Sequence, residues 1–485
     1  MSVARGLRWL HLGHRWLGIA LGGMVLLWFV SGLIMLFVPR PQLTEAERLA
    51  ALPAFSLAQV GVPPQAAWQA LKLSGAPDIV RLNHDGQRPV YRFLANGRWH
   101  RVDARDGQLL PPVSAAEARH LARAFRGESA PEIAGVDDVD RDQWTVYRSF
   151  DAGRPFHRVR FVDGRELYIG QQSGLALLDT EGWERGWNWL GSVLHWLYFT
   201  PLRALPDLWR DLVLSLSFVA LLLSASGCWL GLQRLRLRRR YADGCVTPYR
   251  AGWKRWHHLA GIAGGGFVVT WLLSGWLSLA PFGLLKGSAP TPAEHRLLAG
   301  GVLDASVLGT FSLPGEIRTM REIEWRRFAG QPYLLLMTEH GRQHYRLENG
   351  IAKAQQPDLG EIAQAAASLR PQYAIRSQQW LAEHDADYDA LSHQPPPLPM
   401  VRVVFADPAT SVFYIDPWRL KIERLVDDPG RWHRWLFDAL HRFNLPLFGQ
   451  HNRWREVVVS ILSLLGTVLV LAGCMLAWHR LRHAK

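Results

Sequence analysis

The sequence predicts an α-helical membrane protein with four transmembrane helices in two tandem repeats and two α+β domains outside the bilayer. Three observations carry this. Residues 16–38, 212–232, 259–281 and 457–478 are apolar and contain no Asp, Glu, Lys or Arg. Each is close to the ~20 residues a helix needs to cross the hydrocarbon. The chain also states much of its pattern twice. His14, Gly18, Gly22-Gly23, Trp28 and Ser31-Gly32 return 243 positions later as His257, Gly261, Gly265-Gly266, Trp271 and Ser274-Gly275. A later block returns at 245–246: Trp189-Leu190, Leu194-His195, Trp209-Arg210 and Gly227-Cys228 answer to Trp435-Leu436, Leu440-His441, Trp454-Arg455 and Gly473-Cys474. One inserted residue between His195 and Trp209 is expected to account for the slip. Third, charge is segregated. Residues 1–15, 233–258 and 479–485 hold fourteen Lys and Arg against Asp243 alone, which equals the net charge of +13 for the whole chain.

That segregation orients the chain. Lys and Arg stay on the cytoplasmic side of a membrane, so both termini and the basic loop 233–258 are expected inside. The large segments 39–211 and 282–456 then lie outside. The basic balance is explained by topology, and a nucleic-acid partner is not needed to account for it.

The elements follow in order. Residues 1–38 form the inner N-terminus and first helix, read as an uncleaved anchor. The apolar run exceeds a signal-peptide core, and Val38-Pro39-Arg40-Pro41 offers no small-x-small cleavage site. In the segment 39–211, residues 58–73 have helical apolar spacing. Alternation over 89–94 and 98–103 reads as a hairpin turning at Asn96-Gly97, and 115–125 is again helical. Residues 155–161 and 166–170 form a further strand pair. Helix 212–232 and the loop 233–258 lead to the third helix, 259–281. The segment 282–456 repeats the outer pattern more loosely, with strands at 331–337 and 343–347, a turn at Asn349-Gly350, a helix at 359–369, and strands at 400–405 and 411–415. Residues 457–485 form the last helix and an inner tail. Cys228, Cys245 and Cys474 all lie in or beside the inner half, so no disulfide is expected outside.

A basic His-x-x-x-Gly entry (His14, Gly18), the Trp-x-x-Ser-Gly exit (Trp28, Ser31, Gly32) and an outer helix-plus-hairpin closing on Val102-Asp103-Ala104-Arg105-Asp106-Gly107 resemble the PepSY-associated transmembrane family. Members include iron-regulated membrane proteins and siderophore reductases. The resemblance implies four spans in the bacterial inner membrane, periplasmic PepSY-like domains and, in reductase members, b-type haem on axial histidines.

The histidines are the candidate site. His14, Gly18 and Gly22 share one helix face, as do His257, Gly261 and Gly265. One ligand nitrogen followed by two turns of glycine suits a flat macrocycle, fixed at one point with a slot beside it. Imidazole is a suitable iron ligand. Small residues at this spacing also simply pack helices closely. His257 rather than His258 is favoured by the match, because adjacent residues are rotated by about 100° on a helix. His195 and His441 lie in aromatic segments, 187–199 and 432–443, expected along the outer interface, where they are candidates for a second iron. The expected cofactor is thus one or two haems b, with His14, His257, His195 and His441 as axial ligands. Arg15, Arg255, Arg203, Arg442 and Arg453 are candidates for propionates. His11, His433, His451 and His479 have no histidine match.

Three function classes compete. The first passes electrons from a cytoplasmic reductant or quinol to a periplasmic ferric siderophore or other ferric chelate. The second regulates a periplasmic protease or assists iron uptake, as PepSY domains resemble inhibitory propeptides. The third is a transporter, which would place stronger polar groups mid-span than Ser31, Ser217, Thr270, Ser274 and Thr467. No Rossmann fingerprint, Walker loop or Cys-x-x-Cys-His haem-attachment motif occurs.

Overall fold

The computed structural model describes residues 3–127, 130–388, 396–445, 448 and 453–483. Four helices, Val3–Phe37, Pro206–Arg234, Trp253–Leu277 and Arg453–Arg482, are long and apolar enough to cross a membrane. Most extend beyond the charge-free cores by a turn or more. Pro206 occupies the first turn of the second helix, where a missing N–H costs nothing. The third stops at Leu277, short of the expected 281, because Pro281 disfavours helical backbone before it and Ala280 takes a left-handed conformation. The first and third helices each pack against the second and fourth, so they face each other across the bundle. Val25, Phe29, Ala220, Val268 and Leu272 fill the centre.

The segments before the second and fourth helices are built alike. Each is a short helix, Gly182–Asn188 or Asp428–His433, loosened into a wide π turn over Trp189–Val193 or Arg434–Ala439. Each then closes in a last turn that ends on a left-handed residue, Leu197 (φ 51°) or Phe443 (φ 53°). The extra residue in a π turn re-aims the side chains after it, which suits a functional position. His195 and His441 follow these turns.

Outside the bundle, the expectation of two separate α+β domains is corrected. Strands from both large segments share one eight-stranded antiparallel sheet, with Ile79–His84 paired to Glu322–Phe328 at its centre. Pro89–Ala95, Arg98–Asp103 and Leu109–Leu110 continue it on one side. Gln331–Thr338, Gly341–Glu348 and Ile351–Ala354 continue it on the other. The hairpin at Asn96-Gly97 forms in the expected register, Val90 opposite Asp103. The helix expected over 58–73 is only Pro64–Ala70, preceded by a tight turn at Leu57–Gln59. Proline at 63 and 64 removes two donors and forces extended backbone before them. Each segment adds its own four-stranded sheet. One, over residues 133–180, is covered by the helix Ala115–Arg126; the other, over 375–426, is covered by Leu359–Ala367. Both helices pack on the strands that follow them and also reach the hairpins before them, through the Arg101–Glu117 and Arg346–Glu361 ion pairs.

The central seam is an alternation problem solved twice. Val80, Leu82, Ile323 and Trp325 point into one apolar core drawn from both segments. Arg81, Asn83, Glu322 and Glu324 point to the opposite face, directly paired across the strands as Arg81–Glu324 and Asn83–Glu322. Arg48 grips Glu322 through two 2.8 Å bonds, Asn83 donates to the same carboxylate at 2.8 Å, and Arg81 Nε donates to Glu324 at 2.8 Å. Arg326 also pairs with Glu324. A one-residue slip would put these charges in the core, so the layer pins the register.

Burial alone would raise the Glu324 carboxyl, but Arg326 and Arg81 beside it hold it down to about 2. A carboxyl depressed in this way stabilises the fold fully above its unfolded value of about 4.3, and that contribution is lost as pH falls from there towards 2. Acid melting of the outer sheet should therefore begin below about pH 4.3, and Glu324→Gln should remove this part of the pH dependence. Arg48→Met, which strands buried Glu322, should cost about 3–5 kcal/mol in melts followed by circular dichroism. A pH-independent melting temperature across this window would contradict the seam assignment.

Candidate metal centre between paired histidines

The structure brings the four matched histidines together in two pairs. His14 and His257 approach with ring centroids 6.2 Å apart, near the bundle end where both termini emerge. His195 and His441 approach at 6.3 Å, near the end that carries the sheets. Between His14 and Ser31, which holds His195, the first helix rises about 25 Å. His258 faces elsewhere, with Nε2 donating to Gly231 O at 3.1 Å, so His257 is the partner of His14.

Each ring has a built seat on a neighbouring element. His14 Nδ1 lies 3.1 Å from Leu223 O and 3.2 Å from Ser226 Oγ; His257 Nδ1 lies 3.0 Å from Leu469 O. His195 Nδ1 lies 3.2 Å from both Trp28 O and Ser31 Oγ. His441 Nδ1 lies 3.1 Å from Trp271 O and 3.2 Å from Ser274 Oγ. A carbonyl only accepts, so all four rings carry their proton on Nδ1 and leave Nε2 a lone pair. No hydrogen bond to any Nε2 of the four occurs among the described residues. A ring nitrogen tied to a backbone carbonyl, with the other free, is the arrangement of a metal-ligating histidine.

Glycine makes each seat possible. A Cβ at Gly227 would stand 2.6 Å from His14 Cε1, and one at Gly473 3.1 Å from His257 Cε1. At the other end Gly32 and Gly275 receive His195 and His441 in the same way, at 3.2 and 3.3 Å. The Trp-x-x-Ser-Gly motif is therefore the socket of the outer histidines, a role that reading the spans alone did not reveal. The Gly-Cys doublets serve both neighbours of their helix: Gly227 receives His14 while Cys228 Sγ packs on Gly265, and Gly473 receives His257 while Cys474 Sγ packs on Gly22.

A cavity of about 540 Å³ opens at the His14–His257 pair, within the size range of small-molecule and cofactor sites. Gly18, Gly22, Gly261 and Gly265 line it, as expected of a slot, although Gly22 and Gly265 admit the cysteine sulfurs as well. Its mouth carries His11, Arg15, Arg234, Lys254 and Arg480, and no Asp or Glu lines it among the described residues. Arg255 is not part of it; its guanidinium is exposed and donates to Arg250 O. Of the outer arginines, Arg203 stacks over Trp209 and Arg442 pairs with Asp438. His433 lies beside Phe437, His479 beside His483, and His451 lies outside the described residues.

What these pairs fit is decided by donor number. Two imidazoles bound through Nε2 on opposite sides of one metal ion, with bonds of about 2 Å, hold their centroids about 6 Å apart. Ordinary aromatic pairs span about 4.5–7 Å, so spacing alone does not discriminate; what favours the ligand reading is that all four rings are seated through Nδ1 with no hydrogen bond to Nε2 among the described residues. Zinc and similar ions take three or four protein donors, and no group of three His, Cys, Asp or Glu occurs among the described residues. Two imidazoles with free Nε2 atoms beside a cavity would suit an iron porphyrin, which His14 and His257 would hold and which would supply one-electron chemistry. The inner pair fits on tautomer, spacing and cavity, and the outer pair on tautomer and spacing.

Contacts also correct the expected insertion. Trp209 Nε1 donates to Trp196 O at 2.8 Å, and Arg455, not Trp454, makes the matching bond to Arg442 O at 3.0 Å. A single offset of 246 therefore runs from Asn188 to Cys228, and the Trp-Arg match at 245 is coincidental. Under that offset Ala220 matches Gly466, and Phe29 packs on Gly466 while Leu272 stands at the position matching Phe29.

Residues 11–306, more than half of the chain, match the family model described as the PepSY-associated TM region. No curated protein matches the chain.

Gly466→Ala should destabilise the bundle by about 1–3 kcal/mol through overlap with Phe29. Adding Phe29→Leu should recover most of this, since it recreates the Ala220–Leu272 pairing. Thermal unfolding in detergent checks it; a double variant no more stable than Gly466→Ala would refute the compensation.

Proposed function

The chain belongs to the PepSY-associated transmembrane family, and from that premise we propose that it is a b-type haem protein of the bacterial inner membrane. In this reading it passes electrons across the bilayer to a ferric siderophore or other ferric chelate and releases Fe(II). The observation that carries the reading is the recurrence of one arrangement at both ends of the bundle: two imidazoles about 6 Å apart, each with Nδ1–H given to a backbone carbonyl and Nε2 left free. Helix bundles place such ligands on facing helices.

In this reading the two halves are tandem copies, and the basic segments 1–15, 233–258 and 479–485 face the cytoplasm. The sheets are then periplasmic. His14 and His257 bind on the cytoplasmic side, where Arg15, Arg234, Lys254 and Arg480 supply cations for propionates. His195 and His441 bind on the periplasmic side. Haem supplies a one-electron carrier, with potential set by its surroundings. The protein's part is to fix both rings of each pair, to exclude water with the packed centre around Phe29 and Leu272, and to divide a crossing of ~30 Å into shorter steps. Each electron converts one Fe(III) in the chelate to Fe(II), whose hold on hard oxygen donors is weaker. A cytoplasmic reductant or quinol supplies the electrons. Protease regulation or an accessory role in iron uptake leaves four identically tautomerised, unpartnered nitrogens without a purpose.

Protein purified from haem-replete cells should show a reduced-minus-oxidised α-band near about 560 nm. Alanine at His14 or His257 should remove one haem's share, alanine at His195 or His441 the other, and the pair His14→Ala with His195→Ala should leave none. A folded, colourless preparation would refute the haem reading.

A further inference from the structure

The two matched corners at the outer end of the bundle share one backbone and differ in chemistry. Leu197 and Phe443 are both left-handed, and Tyr198 N and Asn444 N each return to a carbonyl of the preceding turn, Val193 O at 2.9 Å and Asp438 O at 3.0 Å. In the earlier corner the next positions are aromatic. Tyr198 and Trp209 lie with centroids 5.1 Å apart, under the guanidinium of Arg203. The later corner holds Asn444 in place of Tyr198 and Arg455 in place of Trp209.

Both later residues are buried, Asn444 at 4% exposure and Arg455 at 8%. Arg455 spends one donor on Arg442 O. Among the described residues its Nε has no acceptor, and neither has Asn444 Nδ2. No carboxylate pairs with Arg455 among the described residues. Buried donors left empty are costly, and a buried charge at a membrane edge is by default a functional position. Arg442, whose carbonyl anchors Arg455, directly follows His441, so the guanidinium is tied to the backbone one residue beyond a member of the outer pair.

We propose that Asn444 and Arg455 form a carboxylate-binding corner at the outer histidine pair, an inference that rests on the haem reading above. A guanidinium edge and an amide N–H present fixed, charge-assisted donors that match a carboxylate. The carboxylate comes either from a propionate of the outer porphyrin or from an oxygen-rich ferric chelate docked against it. The aromatic corner opposite offers the Tyr198 and Trp209 faces under Arg203, whose buried Nε is likewise without an acceptor among the described residues, but it has Tyr198 where the later corner has the Asn444 amide, so the paired amide and guanidinium donors belong to the later corner.

The test uses the full-length haem-loaded protein in detergent, with Arg455→Gln, Arg455→Lys and Asn444→Leu. If the corner holds a propionate, Arg455→Gln lowers the midpoint potential of one haem and leaves the other unchanged. That potential then becomes pH-dependent between about pH 5 and 8, as the uncompensated carboxylate titrates. Arg455→Lys restores part of the shift, and haem per chain stays constant. If the corner holds the chelate, both potentials stay put and the half-saturating concentration of ferric citrate rises about tenfold. Haem-replete variants with unchanged potentials and unchanged ferric citrate affinity would overturn this assignment alone. A haem-free folded protein would overturn it together with the proposed function.

Discussion

The structure turns on one constraint: an imidazole inside a helical bundle has to satisfy Nδ1 without spending Nε2. The four matched histidines solve it alike, by giving Nδ1–H to a backbone carbonyl of a neighbouring element. Carbonyls inside a helix are already engaged, so the ring has to approach closely from outside, and a glycine has to stand where it approaches. The Gly-Cys doublets, the Trp-x-x-Ser-Gly motifs and the left-handed residues after each π turn are consequences of that requirement.

The outer sheet imposes a second constraint. Its two central strands come from segments more than 200 residues apart, and they are fixed in register by Arg48, Arg81, Asn83, Glu322 and Glu324. Buried ion pairs contribute little net stability, because desolvation offsets much of the attraction. Their effect here is on alignment. The sheet thereby ties together segments that each lead into a different part of the bundle, and the geometry of the histidine pairs is set with both sides joined.

Where the matched positions differ, the differences are organised. Between the pairs, volume is exchanged across a contact: Phe29 on Gly466 against Leu272 and Ala220. At the seats, only one member is varied: His14 has Ser226 beside it, and Ala472 stands at the matching position by His257. At the outer corners, polarity is exchanged while the backbone is kept. The ring positions are retained and their surroundings are not, which allows two similar centres to have unlike electrostatic environments.

The spans, their number, the matched histidines and the main hairpins were legible in the sequence, because charge exclusion, period and turn chemistry are local properties. The family resemblance was legible for the same reason, in the entry and exit motifs of the first span. The pairing of His14 with His257 and of His195 with His441 was suggested by repetition but fixed only by packing. A pattern states that two residues match, not that their helices face each other. The shared eight-stranded sheet was hidden, since strand alternation is identical whether a strand meets its own segment or a distant one. So was the true offset of 246 around Arg455, because a matching Trp-Arg pair outweighs a buried Trp-to-Arg exchange until the carbonyl it serves is seen. Sequence by itself determined which residues are polar in an apolar span. Only the tertiary structure decided what each one touches, because hydrogen-bond partners and close glycine contacts lie between elements far apart in the chain.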